Sequence, residues 1–373
     1  VAAAGERLRL GDWARQREQV AESRRKLGAA WLGDVPSIGG TWRDYDWNND
    51  SDFYEAELYL AMPLWHLGER KANRDVAEKD ASLVPLQSQA RALATAAQVR
   101  EAYWQLLDSR TRIELLQQLL ESAERYAQQM TMRMQAGDVA RTDLLQSRQR
   151  VFDLRSRLLD AQTQLVDSSR YWRLITGLEV VPARAAEQLT PLDAITEQHP
   201  LLQLAAGEVD LLRTELAATR NSGSLRPAVM LNVKRENFDE QVPPVDSIGV
   251  GINIPLGRGK ANGVAVARSE QALLEGEVAM QNLRRQLEED LHEVRHQAHV
   301  NEANIADSKQ LVDIAEQVYQ MQQLANEQGE ITVIEVLRAA QDLAEARQRF
   351  TLLTLTRDAL VARHNQVLGV LPQ

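Results

Sequence analysis

Ala61-Met62-Pro63-Leu64, followed by Gly68 and Lys71-Ala72-Asn73, returns as Asn253-Ile254-Pro255-Leu256, Gly259 and Lys260-Ala261-Asn262, with Pro63 and Pro255 192 positions apart. A second pair keeps that offset. Gln135-Ala136-Gly137-Asp138-Val139 with Asp143-Leu144-Leu145 is matched by Glu327-Gln328-Gly329-Glu330-Ile331 with Glu335-Val336-Leu337, and 329 − 137 is again 192. The chain is therefore read as a duplication of about half its length, and so long a repeat dictates architecture before side-chain chemistry is considered.

The 373 residues would suit two or three ordinary domains. With only 5% aromatics and many Gln, Arg, Glu, Ala and Leu, they point instead to long helices. A formal charge of −10, with no Lys/Arg cluster interleaved with aromatics, argues against a nucleic-acid surface. Cysteine is absent, which removes disulfides, thiolate metal sites and cysteine nucleophiles. No run approaches 18 apolar residues, and no signal-peptide pattern opens the chain at Val1, so either the protein is soluble or a signal was removed and any membrane crossing uses strands.

A helical run over about 67–135 carries Leu106, Ile113, Leu120, Ala127 and Met134 at intervals of seven, with Leu116, Ala123 and Met130 as the second heptad position. After Gly137 the spacing resumes in Leu144, Val151, Leu158, Leu165 and Trp172, joined by Leu154, Ala161 and Ile175. Gly137 thus sits at the tip of an antiparallel helical hairpin. The twin hairpin runs over about 261–327 and 332–369 around Gly329, with Leu287, Leu291 and Val294 opening its seam. Each long run would reach about 100 Å at 1.5 Å per residue. Pro85 is expected to kink or interrupt the first run, and the second has no proline there.

Four short segments have period two. Tyr54, Ala56, Leu58, Leu60 and Met62 alternate with Glu55, Glu57, Tyr59 and Ala61, while Ile248, Val250, Ile252 and Ile254 alternate with Gly249, Gly251 and Asn253. Their hairpin partners are about 37–47 and about 227–237, with turns at Asn48–Asp52 and Gln241–Pro244. One explanation is a small soluble sheet with a face on helices. The other is a membrane barrel girdled by Trp31, Trp42, Tyr45, Trp47, Phe53, Tyr54, Tyr59 and Trp65; since such barrels need at least eight strands, closure then requires an oligomer. The reading divides the chain into a first repeat 1–176, a linker 177–200 rich in turn residues, and a second repeat 201–373.

A short helix, a strand hairpin, a Pro-Leu exit into a very long helix, a Gly-centred tip and a returning helix, all repeated once, resemble the TolC-type outer-membrane efflux channel family over essentially the whole chain. The residues carrying the resemblance are Pro63-Leu64, Pro255-Leu256, the tips at Gly137 and Gly329, and Leu368-Gly369. It implies a mostly α fold with a β-barrel portion: a homotrimer whose twelve strands form an outer-membrane barrel continued by a trimeric α-barrel of helical hairpins in the periplasm. The implied partners are outer-membrane lipid, a periplasmic adaptor (membrane fusion protein) docking at Gly137, Asp138, Val139, Gly329, Glu330 and Ile331, and an inner-membrane pump of RND type. No cofactor is implied. Several compact members serve heavy-metal efflux, which makes metal cations the expected cargo; drug efflux and type I secretion are the alternatives.

Family likeness also places a periplasmic gate at Glu335, six residues past Gly329, and at its counterpart Asp143. A ring of carboxylates there would concentrate cations. Both residues equally suit helix N-terminal chemistry. A second acidic ring would fall at Arg338, and a basic residue two past the tip glycine would fall at Ile331, so this sequence departs from the family pattern at both positions on which the salt-bridge lock of the gate depends.

His292-Glu293-Val294-Arg295-His296 matches the helical zinc-protease signature, and His299 extends the stripe. Catalysis needs a third ligand and an open coordination position, and the motif lies inside a heptad run. The expectation is a polar helix face and no enzymatic activity, with His292, His296 and His299 the only metal-ligand candidates. The remaining competitor is a soluble coiled-coil scaffold, which has no use for four alternating strands.

Overall fold

The computed structural model describes residues 1–45, 54–66, 68–181, 186–221, 226–237, 242–254, 262–328 and 330–372. The elements are α1 (Ala2–Arg7), α2 (Leu10–Ala29), β1 (Ser37–Asp44), β2 (Tyr54–Pro63), α3 (Glu69–Ala136), α4 (Arg141–Thr176), α5 (Pro200–Asn221), β3 (Ala228–Asn237), β4 (Val245–Asn253), α6 (Gly263–Glu327) and α7 (Val333–Val367). Shifted by 192, the boundaries of α2, β1, β2, α3 and α4 fall within two residues of those of α5, β3, β4, α6 and α7. The duplication is thus an architectural repeat.

Two compact units cut across that repeat. One comprises Val1–Gly11, Gln89–Pro200 and Arg284–Gln373; the other comprises Asp12–Ser88 and Leu201–Leu283. Each takes pieces of both halves.

In the helical unit the heptad positions are the core. Leu116, Leu119 and Ala123 of α3 pack on Val151, Leu154 and Ala161 of α4, and Ala102, Tyr103 and Leu106 pack on Trp172. Near the tips, Tyr126, Met130 and Leu144 form a third cluster with Met134, Val139 and, from α7, Ile334 and Leu337. Both hairpin ends of one chain therefore meet in one apolar cluster.

Chain reversals use left-handed backbone that glycine adopts without a Cβ clash. Gly137 has φ +83°, and Gly177 and Gly369, also 192 positions apart, end α4 and follow α7 with φ +73° and +78°. At Gly369 space matters as well, because a Cβ would lie 2.7 Å from Pro200 Cδ and 2.8 Å from His199 Cδ2.

The stretch between the repeats has neither helix nor strand in its described residues 177–181 and 186–199, and the latter part is pinned by polar contacts. Arg100 donates to both carboxylate oxygens of Glu187 at 2.7 and 2.6 Å, to Gln366 at 2.5 Å and to the Val370 carbonyl at 3.1 Å. Asn365 donates to Glu187 and the Gln188 carbonyl and accepts from the Thr190 amide.

In the other unit, the four strands form one antiparallel sheet in the order β1-β2-β3-β4. The central pairing, Tyr54↔Asn237 through Pro63↔Ala228, joins the two halves. Pro85 does not interrupt α3, which is a single helix over Glu69–Ala136. Proline removes one backbone hydrogen bond, and side-chain packing carries the helix across: neighbouring Leu83 is buried and seats where α5 offers Gly207, whose Cβ would lie 2.6 Å from Leu83 Cδ2. The first strand ends at Asp44, short of the expected 47. Trp47, Phe53 and the turn at Asn48–Asp52 lie outside the described residues, as do Gln241, Pro255-Leu256, Gly259 and Gly329.

Candidate functional site

The sheet has two unlike faces because strand side chains alternate. Ile38 and Trp42 of β1, Leu58 and Leu60 of β2, Leu231 and Val233 of β3, and Ile248, Val250 and Ile252 of β4 are all exposed, Ile248 to 83%. Register places them on one face: Leu60 opposes Ile38 and Leu231, and Leu231 opposes Val250. So large a contiguous apolar surface is not left to water. At its hairpin end Trp42 stacks on Tyr54 with ring centroids 4.9 Å apart, and Arg235 makes a two-pronged pair with Asp246 at 2.6 and 2.8 Å. An aromatic and polar rim around an apolar band is the lipid-facing pattern of an outer-membrane strand.

The opposite face is polar. Buried Glu55 accepts from Tyr45 at 2.5 Å and Lys234 at 3.1 Å, with Arg43 at 3.6 Å; Lys234 also pairs with Glu236. Asn232 donates to Glu57 at 2.6 Å. These groups suit a wet interior and cannot face lipid. Among the described residues, β1 pairs only with β2 and β4 only with β3, so both outer edges of the sheet lack a strand. No described helix is long and apolar enough to cross a membrane.

A charged latch holds the exit from β2 into α3. Glu69, 1% exposed in the first turn of α3, accepts from Arg226 at 2.9 Å and from the His66 amide at 3.1 Å. Arg226 also donates to the Gly33 carbonyl, pairs with Asp34 at 3.3 Å, and lies 5.0 Å over the Trp65 ring. The sequence reading missed this group, because 157 residues separate Glu69 from Arg226 and no local pattern links them.

At the first tip Gly137 donates to the Met134 carbonyl at 3.1 Å and Asp138 to the Arg133 carbonyl at 2.9 Å. The second tip repeats the wider bond 192 residues on, from Glu330 to Ala325 at 2.9 Å. Asp138 and Glu330 are exposed, whereas Val139 packs into the tip cluster and Ile331 is half-buried. The two tips differ in their caps. Thr332 and Glu335 form a reciprocal capping box on α7, with Glu335 accepting from the Thr332 amide at 2.9 Å, while the corresponding Ala140 offers α4 no side-chain cap. Asp143 stands in the first turn of α4, half-buried; Glu335 and Arg338 are exposed.

His292, His296 and His299 are all exposed on α6. Glu293, the would-be general base of a protease, pairs with Arg363 at 3.3 Å and accepts from Gln297 at 2.7 Å. No group of three or more metal-ligating side chains occurs among the described residues. The buried histidines are elsewhere: His66 lies at the exit from β2, and His199 and His364 lie beside the pinned segment, where burial pushes both of the latter imidazoles below the ordinary range, with Arg295 adding to the effect at His364.

A four-stranded sheet with one lipid-facing side, in a chain that also repeats a long helical hairpin, is the make-up of an outer-membrane channel protein, in which strands rather than helices cross the bilayer. Comparison with known proteins points the same way. Residues 12–178 match the family described as outer membrane efflux protein, and the chain is placed in the bacterial outer membrane with a periplasmic extension. It is 25% identical over 310 residues to the cobalt-zinc-cadmium resistance protein CzcC of Cupriavidus metallidurans, covering 78% of this chain and 71% of that protein. The outer membrane protein VceC of Vibrio cholerae shares the fold with a TM-score of 0.73 at 16% identity, over 99% of this chain and 95% of VceC. The Campylobacter jejuni CmeC outer membrane channel does so with 0.72 at 14%, over 97% of this chain and 83% of CmeC.

Proposed function

We propose that three copies of this chain form the exit duct of a tripartite efflux system and that its cargo is heavy-metal cations. The observation that carries the reading is the sheet: one exposed apolar face, one polar face and, among the described residues, four strands with two unpaired edges where a closed barrel needs at least eight strands. Three copies supply twelve strands, joining β4 of one copy to β1 of the next. The repeats 1–176 and 201–373, linked by 177–200, then give the trimer a pseudo-sixfold helical wall.

The duct is passive and has no catalytic role. Its tips, Gly137 to Val139 and Gly329 to Ile331, meet a periplasmic adaptor, which couples it to an inner-membrane pump of RND type; Asp143 and Glu335 form the cation-concentrating gate, with Arg338 one turn further along α7. The likeness to a cobalt-zinc-cadmium resistance protein supports metals as cargo. Purified protein in detergent is expected to have the mass of three chains and to give conducting channels in planar bilayers. Deletion of the gene is expected to sensitise its host to cobalt, zinc or cadmium. A chain that stays monomeric and water-soluble without detergent defeats the duct; unchanged metal tolerance defeats the cargo.

A further inference from the structure

In the helical unit a cavity of about 670 Å³ opens between α3, α4 and α7, within the size range of small-molecule sites. Part of its lining is apolar: Leu116, Leu119 and Leu154 are buried, and Leu352 and Leu353 half-buried. The rest is basic. Four guanidinium groups, those of Arg112, Arg150, Arg157 and Arg349, line it against one carboxylate, Glu345, among the described residues.

The duplication accounts for this convergence. Arg157 and Arg349 are 192 positions apart, each twenty residues past its tip glycine. Equal counts along α-helices are equal rises, and the two tips share one apolar cluster, so the two arginines line the cavity at one height. Arg150 and Arg157 also follow Asp143 by seven and fourteen positions, as Arg349 follows Glu335 by fourteen, which puts the cavity on the helix faces that carry the proposed gate carboxylates.

The four cations are unequally neutralised. Arg150 pairs with Glu345 and, at 3.4 Å, with Asp153; Arg157 shares Asp153 at 3.0 Å; Arg112 holds Asp108 at 2.6 Å. Arg349 is exposed and has no hydrogen bond or ion pair among the described residues. Its guanidinium fork is therefore free to donate to an acceptor from outside the chain, and a carboxylate or sulfonate matches that fork in shape and charge.

We infer that this cavity binds an amphiphilic organic anion, whose acid group accepts hydrogen bonds from Arg349 and Arg157 while its aromatic or aliphatic body lies on the leucines. Either feature alone would be unselective; together they reject both a neutral hydrocarbon and a small hydrated ion. The same guanidinium groups repel a metal cation, so the ligand is opposite in charge to what the carboxylates at the tips would concentrate. One chain builds the whole site, and no second copy is needed.

Titration calorimetry with naphthalene-2-sulfonate on the full chain in a nonionic detergent, with detergent alone as the blank, tests the site. Wild type is expected to bind saturably, and neutral naphthalene-2-methanol at least about tenfold more weakly. Arg349→Gln leaves no carboxylate unpaired, so it should fold normally and bind the sulfonate at least about tenfold more weakly; Arg157→Gln should do likewise, and Arg349→Lys should recover part of the loss. Arg125→Gln, on an exposed arginine of α3 outside the cavity, is expected to match wild type. Absence of saturable heat, equal affinity for the two probes, wild-type affinity in Arg349→Gln, or an equal loss in Arg125→Gln overturns the site. Oligomer mass and bilayer conductance are measured separately, so a failed titration leaves the duct standing, and a monomeric protein that binds the sulfonate keeps the site without the duct.

Discussion

Arg226 and Glu69 form an ion pair at 2.9 Å that ties the residue just ahead of β3 to the first turn of α3, with the carboxylate almost wholly buried. The two groups come from different halves of the duplication, so the pair locks the halves together where strand becomes helix. The negative charge also suits a helix N-terminus. Removing Arg226 leaves Glu69 buried without its cation, a change that costs about 3–5 kcal/mol in a fully buried pair. Because Arg226 is partly exposed, Arg226→Ala is expected to lose about 2–3 kcal/mol. Thermal unfolding in detergent should show it, with the double variant Arg226→Ala/Glu69→Gln recovering part of the loss.

The lipid-facing side of the sheet predicts asymmetric tolerance to charge. Val250→Arg, in mid-strand on the apolar face, is expected to destabilise the inserted protein by about 2–4 kcal/mol. Ser247→Lys, on the opposite face, should assemble nearly normally. Outer-membrane recovery of heat-resistant oligomer distinguishes the two; equal recovery contradicts the assigned faces.

The unequal tips predict opposite responses to capping changes. Thr332→Ala removes a capping box and is expected to lose about 1 kcal/mol of local stability at the start of α7. Ala140→Thr places the same hydroxyl three residues before Asp143 and should strengthen α4 by a similar amount. Amide hydrogen exchange at the two tips reads both changes.

Gating by charge is separable from capping. Glu335→Gln keeps an oxygen able to complete the capping box, so helix α7 should start as before. Asp143→Asn likewise leaves the fold intact. Each variant, and more so the pair, is expected to lower cation selectivity and single-channel conductance in bilayers. Unaltered selectivity would leave both carboxylates as helix-terminal residues only.

His199 and His364 give the protein an acid limit. Both are held below the usual imidazole value of 6.5 by burial, so the folded state takes up their protons less readily than the unfolded chain does. Their stabilising effect is complete above about pH 6.5 and is lost as pH falls from there toward the depressed folded values. Two protons in this window correspond to at most about 2.7 kcal/mol per pH unit. His364→Gln is expected to reduce the fall of unfolding temperature as pH drops below 6.5; an unchanged slope assigns the acid response elsewhere.

Much of the architecture was legible because repetition and period are local properties. A seven-residue spacing such as Val151 to Leu158 says which side of a helix is apolar, and the alternation Ile248, Val250, Ile252 says the same of a strand. The 192-residue offset then forces the second half to repeat the first, down to the hydrogen bonds of Asp138 and Glu330. Glycines 137, 177 and 369 mark chain reversals for the same local reason, their positive φ.

Tertiary structure alone decided what depends on distant partners. Pro85 reads as a kink or an interruption, yet α3 runs through it as one helix with Leu83 buried beside it. Glu69 reads as an ordinary first-turn acid until Arg226 arrives from the other half. Phe152 and Ile314 look like further core positions in their heptads, and only the packed chain shows them exposed. A helix sequence specifies which faces are apolar but not which of them the chain itself covers, because coverage is a property of where the other helices end up.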